Sequence, residues 1–183
     1  LEDQLVIQDF VQQIAPYFRA VSQKQPQPCL VNLTRAQQCI HSHEVSEHLG
    51  YLLDDHHKSL SGTFKAFVAH GKNLSADDLT WAYQQLHTAR QEDNAIVKKD
   101  EIWVTPVTNG VAPMHSVGTG DPAFCRAWTA AGNPTLTVPI AMPQNLPLGV
   151  QLVAPKGSDE MLLNVAAEIE HLLQKPWEIR HDA

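Results

Sequence analysis

The sequence predicts an α/β protein in which a partial mixed sheet is flanked by helices. Two observations lead to this class. Apolar residues recur mainly at helical spacing over 1–99, whereas 100–183 alternates short apolar runs with helical segments. We therefore expect a single domain or fragment over 1–183, mainly helical in the first segment and made of strands and helices in the second.

One helix is predicted before a polar, proline-containing stretch and a second helix after it. Apolar residues over 5–21 recur at helical spacing, and Pro16 is expected to kink or interrupt that helix. The short apolar segment 29–33 is a candidate strand. Thr34 is then a candidate N-cap for a second helix that reaches roughly to Leu53.

Two further helices are predicted before the strands. One lies around Phe64 to His70 and ends at Gly71, because glycine is typical of the position that follows a helix. The other begins near Ser75, which forms a capping-box pattern with Asp78 three residues later. The first segment is therefore expected to be mainly helical.

Three apolar runs after residue 100 predict strands, at 102–107, 135–140 and 149–154. An amphipathic helix over 158–173 follows them, with Ser158 as its N-cap. We expect the three strands to share one sheet that this final helix covers on one side.

A loop, a helix and a strand follow one another in GTGDPAFCRAWTAAGNPTLTVPI, residues 118–140. Asp121 stands where an N-cap is expected, and Pro122 fits the first helical turn, where its missing N–H is not needed. Gly132 and Pro134 then end the helix. Such a loop directs the unpaired N–H groups of a helix start toward the space in front of it.

Composition excludes several classes of function. The formal net charge of −7 argues against a general nucleic-acid surface, which needs clustered Lys and Arg. No run of eighteen apolar residues is present, so no membrane span is expected. The chain shows no export signal, and its three cysteines form no CxxC pair, which favours a reduced, cytoplasmic setting.

The histidines do not predict a metal site. His43 and His48 are five residues apart with Glu44 after the first, whereas a zinc-protease helix needs histidines four apart. Together with His41, His56 and His57 they are read as a solvated polar surface. We expect neither a metal nor a cofactor.

No complete catalytic set can be assembled from the residues. Ser61 is followed but not preceded by glycine, so it does not form a nucleophile elbow. Cys125 and His115 could be paired as nucleophile and base, but a partly buried cysteine on a short helix is the more ordinary interpretation.

The order of motifs over roughly residues 40–175 resembles the carboxyl-terminal part of amidase-signature hydrolases. The matching segments are Asp100 with IWVTPV (102–107), VAP (111–113), TGDPAF (119–124), AWTAAGNP (127–134), TLTVPI (135–140), LPLGVQLVAP (146–155) and SDEMLL (158–163). Asn133 and Thr135 depart from the family's usual Gly-Leu-Pro-Ala pattern around Pro134.

The resemblance implies a parent enzyme that hydrolyses the C–N bond of a carboxamide through a serine acyl-enzyme. The resemblance assigns no catalytic residue in this chain, because the sequence holds neither the Gly-Ser-rich stretch nor the lysine of the Ser–cis-Ser–Lys set. We therefore expect this chain alone to be inactive. The alternative is a non-catalytic binding or scaffold domain that associates with another chain.

The resemblance also implies that the loop before the helix, and the helix itself, line the acyl-group pocket. The expected substrate-contacting residues are Thr119, Gly120, Asp121, Phe124 and Trp128. Phe124 and Trp128 lie four apart and so share one helix face. In the alternative interpretation Asp121 only caps the helix and Trp128 only packs.

The expected partners are a small-molecule amide in the parent enzyme and a second protein chain. An amidase lacking its amino-terminal half would keep an unpaired sheet edge and an uncovered apolar face. The sequence therefore predicts either a homodimer or association with that missing half.

Overall fold

The computed structural model divides the chain into two compact units. The first contains Leu1–Lys24, Val97–Phe124 and Asn133–Ala183, and the second contains Gln25–Ile96 and Cys125–Gly132. The residues that the structure describes are 2–24, 27–56, 58–91, 93, 95–114, 116, 118–142 and 145–173.

The three predicted strands form one sheet in the first unit. They are β1 (Trp103–Pro106), β2 (Thr135–Ala141) and β3 (Leu148–Val153), in the order β1-β3-β2. Both pairings are antiparallel, so the described strands contain no parallel pair of the kind that a mixed sheet has. The prediction of a partial sheet flanked by helices is confirmed.

Two helices cover one face of this sheet. Helix α1 (Glu2–Ile14) and the last helix, α7 (Asp159–Leu173), share a buried cluster with β2 and β3. The predicted helix cover is therefore confirmed, and α1 adds to it. The buried residues of the cluster are Phe10, Ile14, Val138, Ile140, Val150, Leu152, Ala154, Leu162, Ala166 and Ile169.

The interruption expected at Pro16 is confirmed. Helix α1 ends at Ile14, and a short 3₁₀ helix over Ala15–Tyr17 holds the proline near its start. Because proline has no N–H and its ring clashes with the preceding turn, the α-helix cannot continue through it.

The second unit is helical in its described part. It contains α2 (Pro28–Leu49), α3 (Leu52–His56), α4 (Gly62–Lys72) and α5 (Ala76–Arg90). Helix α6 (Ala123–Ala131) contributes its residues from Cys125 onward. Helix α2 packs against both α4 and α5.

The strand predicted over 29–33 is wrong, because these residues form the first turns of α2. Pro28 occupies a first-turn position of the helix, where its missing N–H is not needed. Thr34 does not cap the helix, since its hydroxyl donates to the Leu30 carbonyl oxygen one turn back, at 2.9 Å. The helix also ends at Leu49, short of the predicted Leu53.

The sequence predicts that Gly71 follows α4, and this is wrong. Gly71 is a buried residue within the helix. The helix begins after Ser61, whose hydroxyl oxygen accepts from the Phe64 N–H at 3.2 Å, and it ends at Lys72. A Cβ at Gly71 would overlap the Ser42 carbonyl oxygen of α2. Glycine is therefore needed here for helix packing rather than for a turn.

The capping box at the start of α5 is confirmed. The Ser75 hydroxyl oxygen accepts from the Asp78 N–H at 3.1 Å, and the Asp78 carboxylate accepts from the Ser75 N–H at 3.2 Å. A further hydrogen bond from the Ser75 hydroxyl is the largest cause that lowers the pKa of Asp78.

Helix α6 begins one residue later than predicted, at Ala123, so Asp121 and Pro122 both precede it. Its end is as predicted. Gly132 has a φ of 77°, and its N–H donates to the Trp128 and Thr129 carbonyl oxygens. This left-handed conformation favours glycine.

None of the helices in the described ranges is both long enough and apolar enough to cross a membrane.

Candidate functional site

The loop before α6 presents an exposed polar surface in the first unit. Thr119, Gly120 and Asp121 are exposed, and Gly118 and Gly120 have φ values of 112° and 85°. Residues with a side chain rarely adopt this conformation, so the course of the loop depends on both glycines. In the described part of the chain, no hydrogen bond joins the Asp121 carboxylate to another residue.

The five predicted substrate-contacting residues divide between the two units. Thr119, Gly120, Asp121 and Phe124 belong to the first unit, and Trp128 belongs to the second. Phe124 is partly buried, whereas Trp128 is only 3% exposed. Their role in binding stays a prediction.

A cleft in the second unit collects polar side chains that the motifs do not mark. It has a volume of about 580 Å³ and lies between α2, α5 and the end of α6. Its lining residues are Gln37, Ile40, His41, Glu44, Tyr83, Leu86, His87, Arg90, Thr129 and Ala130. A volume of this size is typical of small-molecule sites.

Two hydrogen bonds and one ring contact position side chains in the walls of this cleft. The Arg90 Nε donates to the Ala130 carbonyl oxygen at 2.8 Å. Gln37 accepts at its Oε1 from the Arg126 Nη1 at 3.0 Å. The His41 ring meets the Phe67 ring edge-on, with the ring centroids 4.9 Å apart. The polar walls are therefore held by neighbours outside the cleft as well as within it.

Sequence reasoning missed the cleft, although a signal was present. The lining residues of α2 and of α5 each have the spacing i, i+3, i+4, i+7, which places them on one helix face. Which faces oppose each other depends on helix packing between distant parts of the chain, and the spacing alone does not give it.

Neither a metal centre nor a catalytic set emerges from the described residues. No three His, Cys, Asp or Glu side chains in these ranges are grouped to hold a metal ion. His57 and His115 lie outside the described residues. Burial is the main cause that raises the pKa of Cys39, which disfavours a reactive thiolate there.

The fold is that of part of an amidase. A solved amidase superposes with a TM-score of 0.75 and 19% identity, over 93% of this chain and 42% of its own length. A bacterial aryl acylamidase of the amidase signature family gives a TM-score of 0.70 with 13% identity, over 93% of this chain and 40% of its own. These comparisons confirm the resemblance to part of an amidase-signature hydrolase.

A comparison of sequences gives a more specific likeness than the comparison of folds. The 6-aminohexanoate-cyclic-dimer hydrolase of Pseudomonas sp. (strain NK87) is 41% identical over 59 residues, which are 32% of this chain and 12% of that enzyme. No model of a protein family matches the chain. The chain thus spans about two fifths of the solved amidases, and its aligned stretch spans a small part of the hydrolase.

Proposed function

We propose that this chain is the carboxyl-terminal portion of an amidase that hydrolyses the C–N bond of a carboxamide. The observation that carries the proposal is the 41% identity over 59 residues to a hydrolase of a cyclic amide. The amidase fold supports it, since the likeness extends over 93% of the chain.

The proposed chemistry is acyl transfer to serine. A serine attacks the amide carbonyl, a lysine acting through a second serine manages the proton, and backbone N–H groups stabilise the oxyanion. In this proposal the serines and the lysine come from sequence outside this chain. The residues present here shape the pocket and complete the sheet.

Within the proposed pocket, the loop before α6 contacts the acyl group of the substrate. In the first unit the contacting residues are Thr119, Gly120, Asp121 and Phe124. Exposure of Thr119 and Asp121 supports the proposal, as does the positive φ of Gly120, which turns the backbone in a way that a side chain would oppose. We infer a small amide, cyclic or linear, from the cyclic dimer named for the relative.

The experiment compares two glycine substitutions in the complete enzyme. Gly120 and Gly157 both have a positive φ, of 85° and 78°, so alanine strains the backbone at both positions. We expect Gly120→Ala to lower kcat/KM for amide hydrolysis at least about tenfold, since misplacing a pocket wall disturbs substrate orientation. Gly157→Ala should leave kcat/KM within about twofold, because Gly157 lies in the turn before α7 and not in the loop proposed as the pocket wall, so its φ strain acts on stability rather than on chemistry.

Equal effects of the two substitutions on kcat/KM would count against the loop as a pocket wall. Absence of amide hydrolysis in the complete protein would count against the function itself. A non-catalytic binding domain would then be the better interpretation.

The proposal also includes a partner chain that pairs with an edge of the sheet. Among the described strands, β1 and β2 each pair with β3 alone, so each has a second edge for another strand. We propose that this chain associates with the amino-terminal half of the amidase, or with a second copy of itself. Sedimentation equilibrium should show a dimer for the isolated chain, and a monomer at all concentrations would contradict the second of these partners.

A further inference from the structure

The cleft of the second unit is lined by two matched rows of side chains. Helix α2 contributes a polar residue, an aliphatic residue, a histidine and an acid, and α5 contributes a polar residue, an aliphatic residue, a histidine and a base. The rows are Gln37, Ile40, His41 and Glu44 on α2, and Tyr83, Leu86, His87 and Arg90 on α5. The cleft therefore combines an apolar middle with one acidic and one basic group.

The two opposite charges form no ion pair with each other within the described residues. Glu44 and Arg90 are both exposed, and the ion pair found within the described ranges joins Lys24 to Glu101 in the first unit. Since Glu44 and Arg90 line one cleft without an ion pair between them, each can bind a separate charged group of a ligand.

Arg90 is held in place by a hydrogen bond that leaves its terminal nitrogens available. Its Nε donates to the Ala130 carbonyl oxygen at 2.8 Å, near the end of α6, where helix carbonyls lack partners in the helix. The terminal nitrogens of a guanidinium, fixed in this way, suit the two oxygens of a carboxylate.

Gln37 adds hydrogen-bonding capacity at the other wall. Its Oε1 already accepts from the Arg126 Nη1 at 3.0 Å. The amide nitrogen of Gln37 and the hydroxyl of Tyr83 can therefore serve a polar ligand in the cleft. The Thr129 hydroxyl donates to the Cys125 carbonyl oxygen at 3.0 Å, so it can only accept from a ligand.

We propose that this cleft binds a small dipolar molecule that carries a carboxylate and an ammonium group on a short hydrocarbon chain. The carboxylate contacts Arg90, the ammonium group contacts Glu44, and the hydrocarbon lies over Ile40 and Leu86. The volume of about 580 Å³ accommodates a molecule of this class. This binding function goes beyond amide hydrolysis, and it is measured without turnover.

The test uses three probes of equal chain length: 6-aminohexanoate, hexanoate and hexylammonium. Binding to the chain is measured by calorimetry at pH 7 and low salt. We expect 6-aminohexanoate to bind about tenfold more tightly than either single-charge probe, because a hydrogen bond to a charged group adds roughly that factor. Three equal affinities, or no saturable binding of 6-aminohexanoate up to about 10 mM, would overturn the proposal.

Two substitutions test which residue of the cleft binds which charged group of the ligand. Arg90→Gln should reduce the affinity for 6-aminohexanoate to that for hexylammonium, and Glu44→Gln should reduce it to that for hexanoate. The controls are Glu47→Gln on α2 and Lys72→Gln on α4, which are exposed charges outside the lining.

Both controls should keep the affinity of the unmodified chain. Circular dichroism confirms that each variant is folded. An equal loss in the control variants would show that general charge, rather than this cleft, attracts the probe, and would overturn the proposal.

Discussion

The backbone of Gly71 in α4 packs directly on the Ser42 carbonyl oxygen of α2. A Cβ at position 71 would overlap that oxygen and would also lie 2.9 Å from the Cβ of Ser46. Ser42 and Gly71 are both buried, and Ser42 donates its hydroxyl to the Cys39 carbonyl oxygen at 3.1 Å within its own helix. The close approach of the two helices thus depends on the missing side chain.

Substitution of Gly71 by alanine should therefore destabilise the second unit. We expect Gly71→Ala to lower the free energy of unfolding by about 1–3 kcal/mol, the usual effect of overpacking. Gly62 is the matched control, since a Cβ at this first residue of α4 meets no atom within 4 Å. Urea denaturation should find Gly62→Ala neutral or stabilising, and an equal loss in both variants would contradict the packing explanation.

Gly149 in β3 gives a second packing test, in the first unit. A Cβ there would lie 2.8 Å from the Thr137 Cγ2 and 3.3 Å from the Val138 carbonyl oxygen on β2. We expect Gly149→Ala to lower the free energy of unfolding by about 1–3 kcal/mol. Thr137→Ser removes the methyl group, so Gly149→Ala should be at most half as destabilising in that background. A double-mutant cycle measures this, and an unchanged loss would exclude the Thr137 contact as the cause.

Glu101 should make the stability of the first unit depend on pH. A hydrogen bond from the Trp103 Nε1 is the largest cause that holds the pKa of Glu101 below its ordinary value of 4.5, and one from Lys24 adds to it. Because the pKa is lowered by folding, the stabilisation is fully present above the unfolded value and is lost as pH falls through the folded value.

The variant Glu101→Gln removes this dependence. The difference in unfolding free energy between the unmodified chain and Glu101→Gln should be constant above about pH 6 and shrink below about pH 4.5. Glu168→Gln, an exposed position on α7, serves as the control. Parallel stability curves for the unmodified chain and Glu101→Gln at all pH values would argue against the lowered pKa.

Local signals in the sequence predicted much of the fold. The Ser75–Asp78 capping box, the helix end at Gly132 and the three strands depend on neighbouring residues, and the structure confirms them. The strand predicted at residues 29–33 was wrong because a short apolar run fits a strand or a buried helical turn equally well.

Features that depend on distant contacts could not be predicted from local pattern. Gly71 looks like a helix-ending glycine until its contact with Ser42 is known, since both roles require the absence of a side chain. The cleft likewise depends on the bond between Arg90 and Ala130, which are forty residues apart. Motif order, in contrast, was enough to predict the amidase fold, because each segment keeps its place along the chain.

The measurement that most directly tests the central claim is amide turnover by this chain, first alone and then together with a catalytic portion that supplies the serines and the lysine. Simple carboxamides and the cyclic dimer of 6-aminohexanoate are the substrates, and amine release is the readout. We predict no turnover by the chain alone and measurable turnover for the combination. Turnover by the chain alone, abolished by a serine-directed reagent, would contradict the claim that its catalytic serine lies elsewhere.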